Sequence, residues 1–244
     1  MNYWYEGILA AFDTETTGVD VERDRIVSAA LVVESAPERP TEVIRWLVDP
    51  GVPVPESARA VHGLSDAFLR EHGRSPGPVT DEIARELAAR CGAGIPLVVM
   101  NAPFDLTLLD REVKRHHGAP LSSYFGGGAP WCVLDPRVLD KHLDRYRKGR
   151  RTLTDLCALY EVPLTDAHDA AADALASLAL VRAIGRRYTE RISGLSRAEL
   201  HSRQAVWHAA QSRGLQAWFA RNGSDEVCDP AWPLRPVPPA REAA

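Results

Sequence analysis

The chain begins with an apolar run, Ile8 to Phe12, that gives way to polar positions at Asp13-Thr14-Glu15-Thr16-Thr17-Gly18. A run of that length predicts a buried strand over 8–13, ended by the Thr-Thr-Gly step. Ile26 to Val33 is almost continuously apolar, as for a central strand, whereas 42–48 alternates more, as for a strand nearer an edge. The short connections between the three predict an antiparallel meander. Pro53, Pro55 and the His62-Gly63-Leu64 stretch read as one long loop. After Ser75-Pro76-Gly77-Pro78 the period becomes helical: Val79, Ile83 and Leu87 share a face, and Gly92 and Gly94 end the helix. Leu97 to Met100 is a short buried strand, followed from Pro103 by a helix to about Gly118 with Leu106, Leu109 and Val113 on its apolar side. Gly126-Gly127-Gly128 reads as a flexible loop, 131–134 as a fifth strand and 136–147 as a helix.

Two capping boxes punctuate the remainder, Thr152-x-x-Asp155 and Ser196-x-x-Glu199. Between them His168 opens an Ala-rich helix that runs to about Arg187, and after the second, Leu200, Trp207 and Trp218 form a helical stripe that Asn222-Gly223 ends. The last stretch carries five prolines between Pro230 and Pro239 and is expected to be extended and partly mobile. The order of elements predicts an α/β fold, a mixed five-stranded sheet flanked by helices. The expected division is a domain over 6–188 and a C-terminal helical extension with a Pro-rich tail over 189–244.

Composition narrows the options only a little. The chain has 244 residues, 45% hydrophobic and 25% charged, enough for one large domain with an appendage. A net charge of −4 excludes adhesion to nucleic acid by global charge but allows a local basic strip. Arg145, Arg147, Lys148, Arg150 and Arg151 supply one. The four cysteines form no Cys-x-x-Cys pair, and no apolar run reaches membrane-spanning length, so a cytoplasmic protein is the expectation.

Asp13 and Glu15 are two residues apart at the mouth of the first strand, so their side chains point the same way and repel each other. A chain with 33 acidic residues supplies about one Asp-x-Glu by chance, so the pair matters only with partners. Asp105, in the first turn of a helix, and Asp173, five residues after His168, are such partners. Each alone is an ordinary acid near a helix start. Together, four carboxylates around one cleft would hold two divalent cations, suited to phosphodiester cleavage, with His168 to take the proton from the attacking water.

Phe-Asp-Thr-Glu-Thr-Thr-Gly (12–18), Asn-x-x-Phe-Asp (101–105) and His-x-x-x-x-Asp (168–173) resemble, in this order, the three motifs of the DEDDh or DnaQ-like 3′–5′ exonucleases. The resemblance covers residues 6–188 and implies an RNase H-like fold. It implies that Asp13, Glu15, Asp105 and Asp173 hold two Mg²⁺ or Mn²⁺ ions, Asp13 bridging both, and that His168 is the general base. It further implies contacts to the terminal nucleotide from Thr14, Thr16, Thr17, His62, Leu64, Asn101 and Phe104. Many relatives carry Glu five residues before the counterpart of His62, where this chain has Ser57 beside Glu56. Arg150 and Arg151 are the expected phosphate contacts. The implied partner is nucleic acid with a free 3′ end, single-stranded DNA first and RNA as the alternative. A polymerase or repair complex could dock on the C-terminal extension. A non-catalytic binding module on the same fold should have lost at least one of the five site residues, and all five are present.

Overall fold

The computed structural model describes residues 3–35, 41–128, 131–165 and 167–238. Five strands, β1 (Leu9–Thr16), β2 (Ile26–Glu34), β3 (Thr41–Leu47), β4 (Leu97–Val98) and β5 (Val133–Leu134), form one sheet in the order β3-β2-β1-β4-β5. The first three make the expected antiparallel meander, while β4 and β5 run parallel to β1. The helices are α1 (Glu56–His62), α2 (Asp66–His72), α3 (Pro76–Gly92), α4 (Ala102–His117), α5 (Pro136–Leu143), α6 (Leu153–Tyr160), α7 (Ala170–Arg187), α8 (Thr189–Ile192) and α9 (Arg197–Arg221).

The twofold period of β1 sorts its side chains between two cores. Ala10 and Phe12 enter the core built with α3 and α4, and Leu9 and Ala11 enter the one built with α7. Continuing the alternation, Asp13 and Glu15 fall on the α7 side and Thr14 on the α4 side. That parity decides which helix can meet which residue of the motif.

Several expectations need correction. The segment read as one long loop contains α1 and α2. Gly63 ends α1 in the left-handed region at φ 75°, and the Ser65 hydroxyl caps α2 by accepting from the Phe68 N–H. Only Leu69 of these two helices is buried, so no periodic apolar face betrays them. The strand at 97–100 shrinks to two paired residues, and the helix at 136–147 stops at Leu143. The glycine run closes a 3₁₀ segment, Leu121–Gly128, and α7 starts at Ala170, leaving His168 and Asp169 ahead of it.

The tail is anchored to the domain between Trp232 and Pro236. Trp232 is buried, its indole N–H donates to Asp135, and the Arg235 backbone N–H donates to the Thr107 hydroxyl. The outer edge of β5, which would otherwise be a bare strand, is satisfied by α9. The Val133 N–H donates to His201 Nδ1 at 3.1 Å. The Gln204 amide donates to the Val133 carbonyl at 3.0 Å, and its oxygen accepts from the Asp135 N–H at 2.8 Å.

Candidate active site

The carboxylates converge where β4 and β5 end beside the longer β1. Ala11 pairs with Val98, and Val98 with Leu134, so the chain leaves β1, β4 and β5 along a common edge. Beyond the short β4, β1 has no strand neighbour on that side. The next N–H on that edge, from Thr14, donates to Asp105 Oδ1 at 3.1 Å, and the Thr14 hydroxyl donates to the same oxygen at 2.6 Å. Asp105 thus takes the place of the missing strand acceptor and is pinned to the motif it must serve.

Across the sheet edge α7 supplies Asp173. One of its oxygens, Oδ2, accepts from the His168 backbone N–H at 3.4 Å, while Oδ1 is buried with no partner among the described residues. Ligand atoms of Glu15, His168 and Asp173 lie within 4.8 Å of one another. His168 reaches this point with φ 73°, a left-handed conformation costly to a residue with a β-carbon, and its side chain is exposed. Asp169 is a further acid nearby; it caps α7 and lies 3.6 Å from Arg45.

Charge crowding is severe. Burial raises the Asp13 pKa well above the ordinary carboxylate value, and the charges of Asp105, Asp173, Glu15 and Asp169 add to it. Glu15 is pushed up to about 8 by burial and by Asp173, Asp105 and Asp169. Asp105 is pushed up to about 7 by burial, against the pull of its Thr14 hydrogen bonds. Asp173 is also raised, chiefly by burial. Carboxylate oxygens are hard ligands, and an orphaned buried oxygen in a cluster that resists full ionisation fits Mg²⁺ or Mn²⁺.

The other expected contacts divide. His62 lies against the Thr16 backbone, and its Nδ1 accepts from the Leu64 N–H at 3.1 Å. Burial lowers its pKa, so it stands there as a neutral ring. Thr16 keeps a partly exposed hydroxyl that donates to the Gly18 carbonyl. Asn101 caps α4 at φ 61° and its carboxamide oxygen accepts from Arg137. Five of the expected contact residues are engaged within the protein. The Thr14 hydroxyl is committed to Asp105, and that of Thr17 donates to Asp24 and accepts from the Arg25 N–H. Leu64 packs beside Val27, Val54 and Leu69, and Phe104 packs against the main core. Arg151 is nearly buried and donates to the fully buried Asp140 at 2.6 Å, together with Arg147 at 2.7 Å and Tyr160 at 2.8 Å. Arg150 is open to solvent, 3.6 Å from Asp155.

Sequence reasoning missed Asp135. Its carboxylate accepts from the N–H groups of Asn101 and Ala102 at the start of α4, and from Arg137 at the start of α5. The signal was present in Asp135-Pro136, an acid followed by proline at the first helical position.

Known proteins share these features. The model of the exonuclease family matches residues 10–181. A DNA polymerase III subunit epsilon-like protein of Rhodobacter capsulatus is 38% identical over 103 residues, covering 41% of this chain and 14% of that protein. A DNA polymerase III subunit epsilon of Treponema pallidum is 32% identical over 114 residues, 46% of this chain and 49% of that one. Exonuclease I has the same fold at a TM-score of 0.64 and 17% identity, over 75% of this chain and 42% of its own. The chain spans less than half the length of each of these proteins. With its three motifs gathered at one sheet edge and the family match running from β1 into α7, the chain belongs to the exonuclease family, in its DnaQ-like branch.

Proposed function

We propose that the chain is a divalent-metal-dependent 3′–5′ exonuclease that releases nucleoside monophosphates from single-stranded DNA. The observation that carries this reading is the cluster of Asp13, Glu15, Asp105 and Asp173 with His168 beside it, a set of acids whose mutual repulsion calls for cations. Those four residues would hold Mg²⁺ or Mn²⁺, which when bound would lower the pKa of a water and stabilise the departing 3′-oxygen. The cluster cannot bind a phosphodiester while it is negative, so the acids also gate substrate entry by cation occupancy. His168, exposed and beside Glu15 and Asp173, takes the proton from the attacking water and passes it to solvent. The water oxygen bonds to phosphorus, the P–O3′ bond breaks, and the departing 3′-oxygen takes a proton from solvent, leaving the shortened strand with a new 3′-hydroxyl. Neutral His62 and the Thr16 backbone stand at the end of β1, where a terminal sugar would rest. DNA is favoured because exonuclease I structures of this fold hold dT13 and dA16 oligonucleotides.

The test is degradation of 3′- and 5′-labelled single-stranded DNA, duplex DNA and RNA. The expected result is stepwise loss from the 3′ end of single-stranded DNA with Mg²⁺ or Mn²⁺, abolished by chelator and by Asp13→Ala. His168→Ala should cost roughly 10²–10⁴-fold in kcat, the range for a lost general base, while titration calorimetry still shows metal uptake. Cleavage in chelator, or full activity of Asp13→Ala, would overturn the mechanism.

A further inference from the structure

Apart from the carboxylate cluster, the molecule carries a groove of about 950 Å³ between α5, the turn after it, α9 and the returning tail. Its rim is cationic. Arg137, Lys141 and Arg145 line it and make no salt bridge among the described residues, and Arg235 closes the far side. The acids that reach it are Asp135, buried in its capping role, and Asp229. Lys141 is held below the usual lysine pKa chiefly by burial, with Arg151, Arg147 and Arg145 adding to the shift and Asp140 opposing it.

The groove is also aromatic. The Trp207 ring stacks on His142 with centroids 3.8 Å apart and planes 8° apart. Tyr146 is 88% exposed with the Arg145 guanidinium over its face, and Trp218 is half exposed. Two exposed aromatic faces between free cations are what stacked bases and their phosphates require, whereas a folded protein partner would demand a drier surface.

Its position connects it to the cluster. Asn101 lines the groove and opens α4, whose first turn carries Asp105. Arg137, bonded to Asn101, stands in the first turn of α5, just after β5. β1 and β5 are two strand spacings apart, about 10 Å, a short step for a nucleic-acid backbone.

We infer that this groove holds the single-stranded nucleic acid on the 5′ side of the bond being cut, its phosphates on Arg137, Lys141 and Arg145 and its bases on Tyr146 and Trp218. The strand's direction rests on the exonuclease reading above; binding itself does not. Apart from Asn101, the surface is built by residues beyond the three motifs, and α9 and the tail lie outside the stretch that the family match covers.

The experiment compares the wild-type protein with Lys141→Ala/Arg145→Ala and Tyr146→Ala/Trp218→Ala, each checked for an unchanged melting temperature. Binding of a labelled single-stranded oligonucleotide of about 20 residues is read by anisotropy in chelator, across a salt series. Cleavage of that oligonucleotide and of a dinucleotide, too short to reach the groove, is read with Mg²⁺. The charge variant should flatten the log–log salt slope by about 1.4, and the aromatic variant should weaken binding roughly tenfold or more. Both should lose the wild-type preference for the long substrate, through KM rather than kcat. Unchanged binding and unchanged length preference would overturn the inference. So would loss of binding only to an acidic peptide, which would make the groove a peptide site. A wild-type protein that binds the long strand but cuts nothing would leave the groove standing and remove the exonuclease reading. One that cuts both substrates, with variants indistinguishable from it, would do the reverse.

Discussion

Glu15 shows what a site prepared for cations costs the chain that carries it. Its pKa rises from 4.5 to about 8 on folding because burial and the acids around it penalise its charge. Between these values the folded protein binds more protons than the unfolded one, so the contribution of Glu15 falls as pH rises through that window. Asp105, raised to about 7, adds to the same loss over the lower part of the window. In chelator, therefore, Glu15→Gln should melt higher than the wild type at pH 8, by several degrees at roughly 2–4 °C per kcal/mol, and equally near pH 4. Added Mg²⁺ should reverse the order at pH 8, because it stabilises only the protein that binds it. A melting temperature that is lower for Glu15→Gln in chelator at pH 8 would contradict the crowding. The basic strip offers a contrast at the same scale. Arg150 and Arg151 are neighbours in sequence, yet one is exposed and the other closes on buried Asp140. Arg151→Ala should lose about 3 kcal/mol in denaturant unfolding, the low end for a broken buried pair because Arg147 remains. Arg150→Ala should lose almost nothing, and equal losses would show that the burial of Asp140 does not matter.

At the scale of elements, Asp135 decides how α4 and α5 stand. One carboxylate serves two helix starts at once, and α4 delivers Asp105 in its first turn. Asp135→Ala should cost about 2 kcal/mol, two caps at roughly 1 kcal/mol each, and should lower kcat more than it raises KM because Asp105 loses its fixed aim. Circular dichroism melts and steady-state kinetics separate the two effects; a variant as stable as the wild type would remove the capping account. Elements of this kind were legible from sequence where their signals are local. The apolar run of β1, the continuous run of β2 and the boxes at Thr152 and Ser196 specify themselves within a few residues, and all appear in place. The motif acids were legible for the same reason, each standing at a strand end or helix start. The helices α1 and α2 were not, because Pro55 and Gly63 read as loop and only Leu69 is buried. The commitment of Thr17 to Asp24 and of Arg151 to Asp140 was also hidden, since a hydroxyl or guanidinium carries no local sign of the partner it will find.

The whole molecule depends on contacts of the longest range, and these tie the described part of the C-terminal segment to the domain. Sequence alone left open whether residues 189–244 pack on the domain or stand apart to dock a partner. The Trp232 indole reaches Asp135, and Arg235 and Pro236 carbonyls accept from Arg111, joining segments more than a hundred residues apart in the latter case. The face of α9 that carries Leu200, His201 and Gln204 is spent on β5. Removing residues 190–244 would strip the edge of β5 of three hydrogen bonds and uncover the core around Leu200 and Trp232. An unpaired strand edge beside exposed apolar surface recruits other chains, so this truncation should be insoluble. A shorter truncation, of residues 224–244, keeps α9 on the β5 edge and loses only the tail. It should stay soluble in the same oligomeric state as the full chain, melt lower, and retain cleavage of a short oligonucleotide. Expression of both forms with size-exclusion chromatography and a melt distinguishes the cases. If the longer truncation is soluble, monomeric and as stable as the full chain, the extension is an appendage after all, and the edge of β5 must be protected by something other than α9.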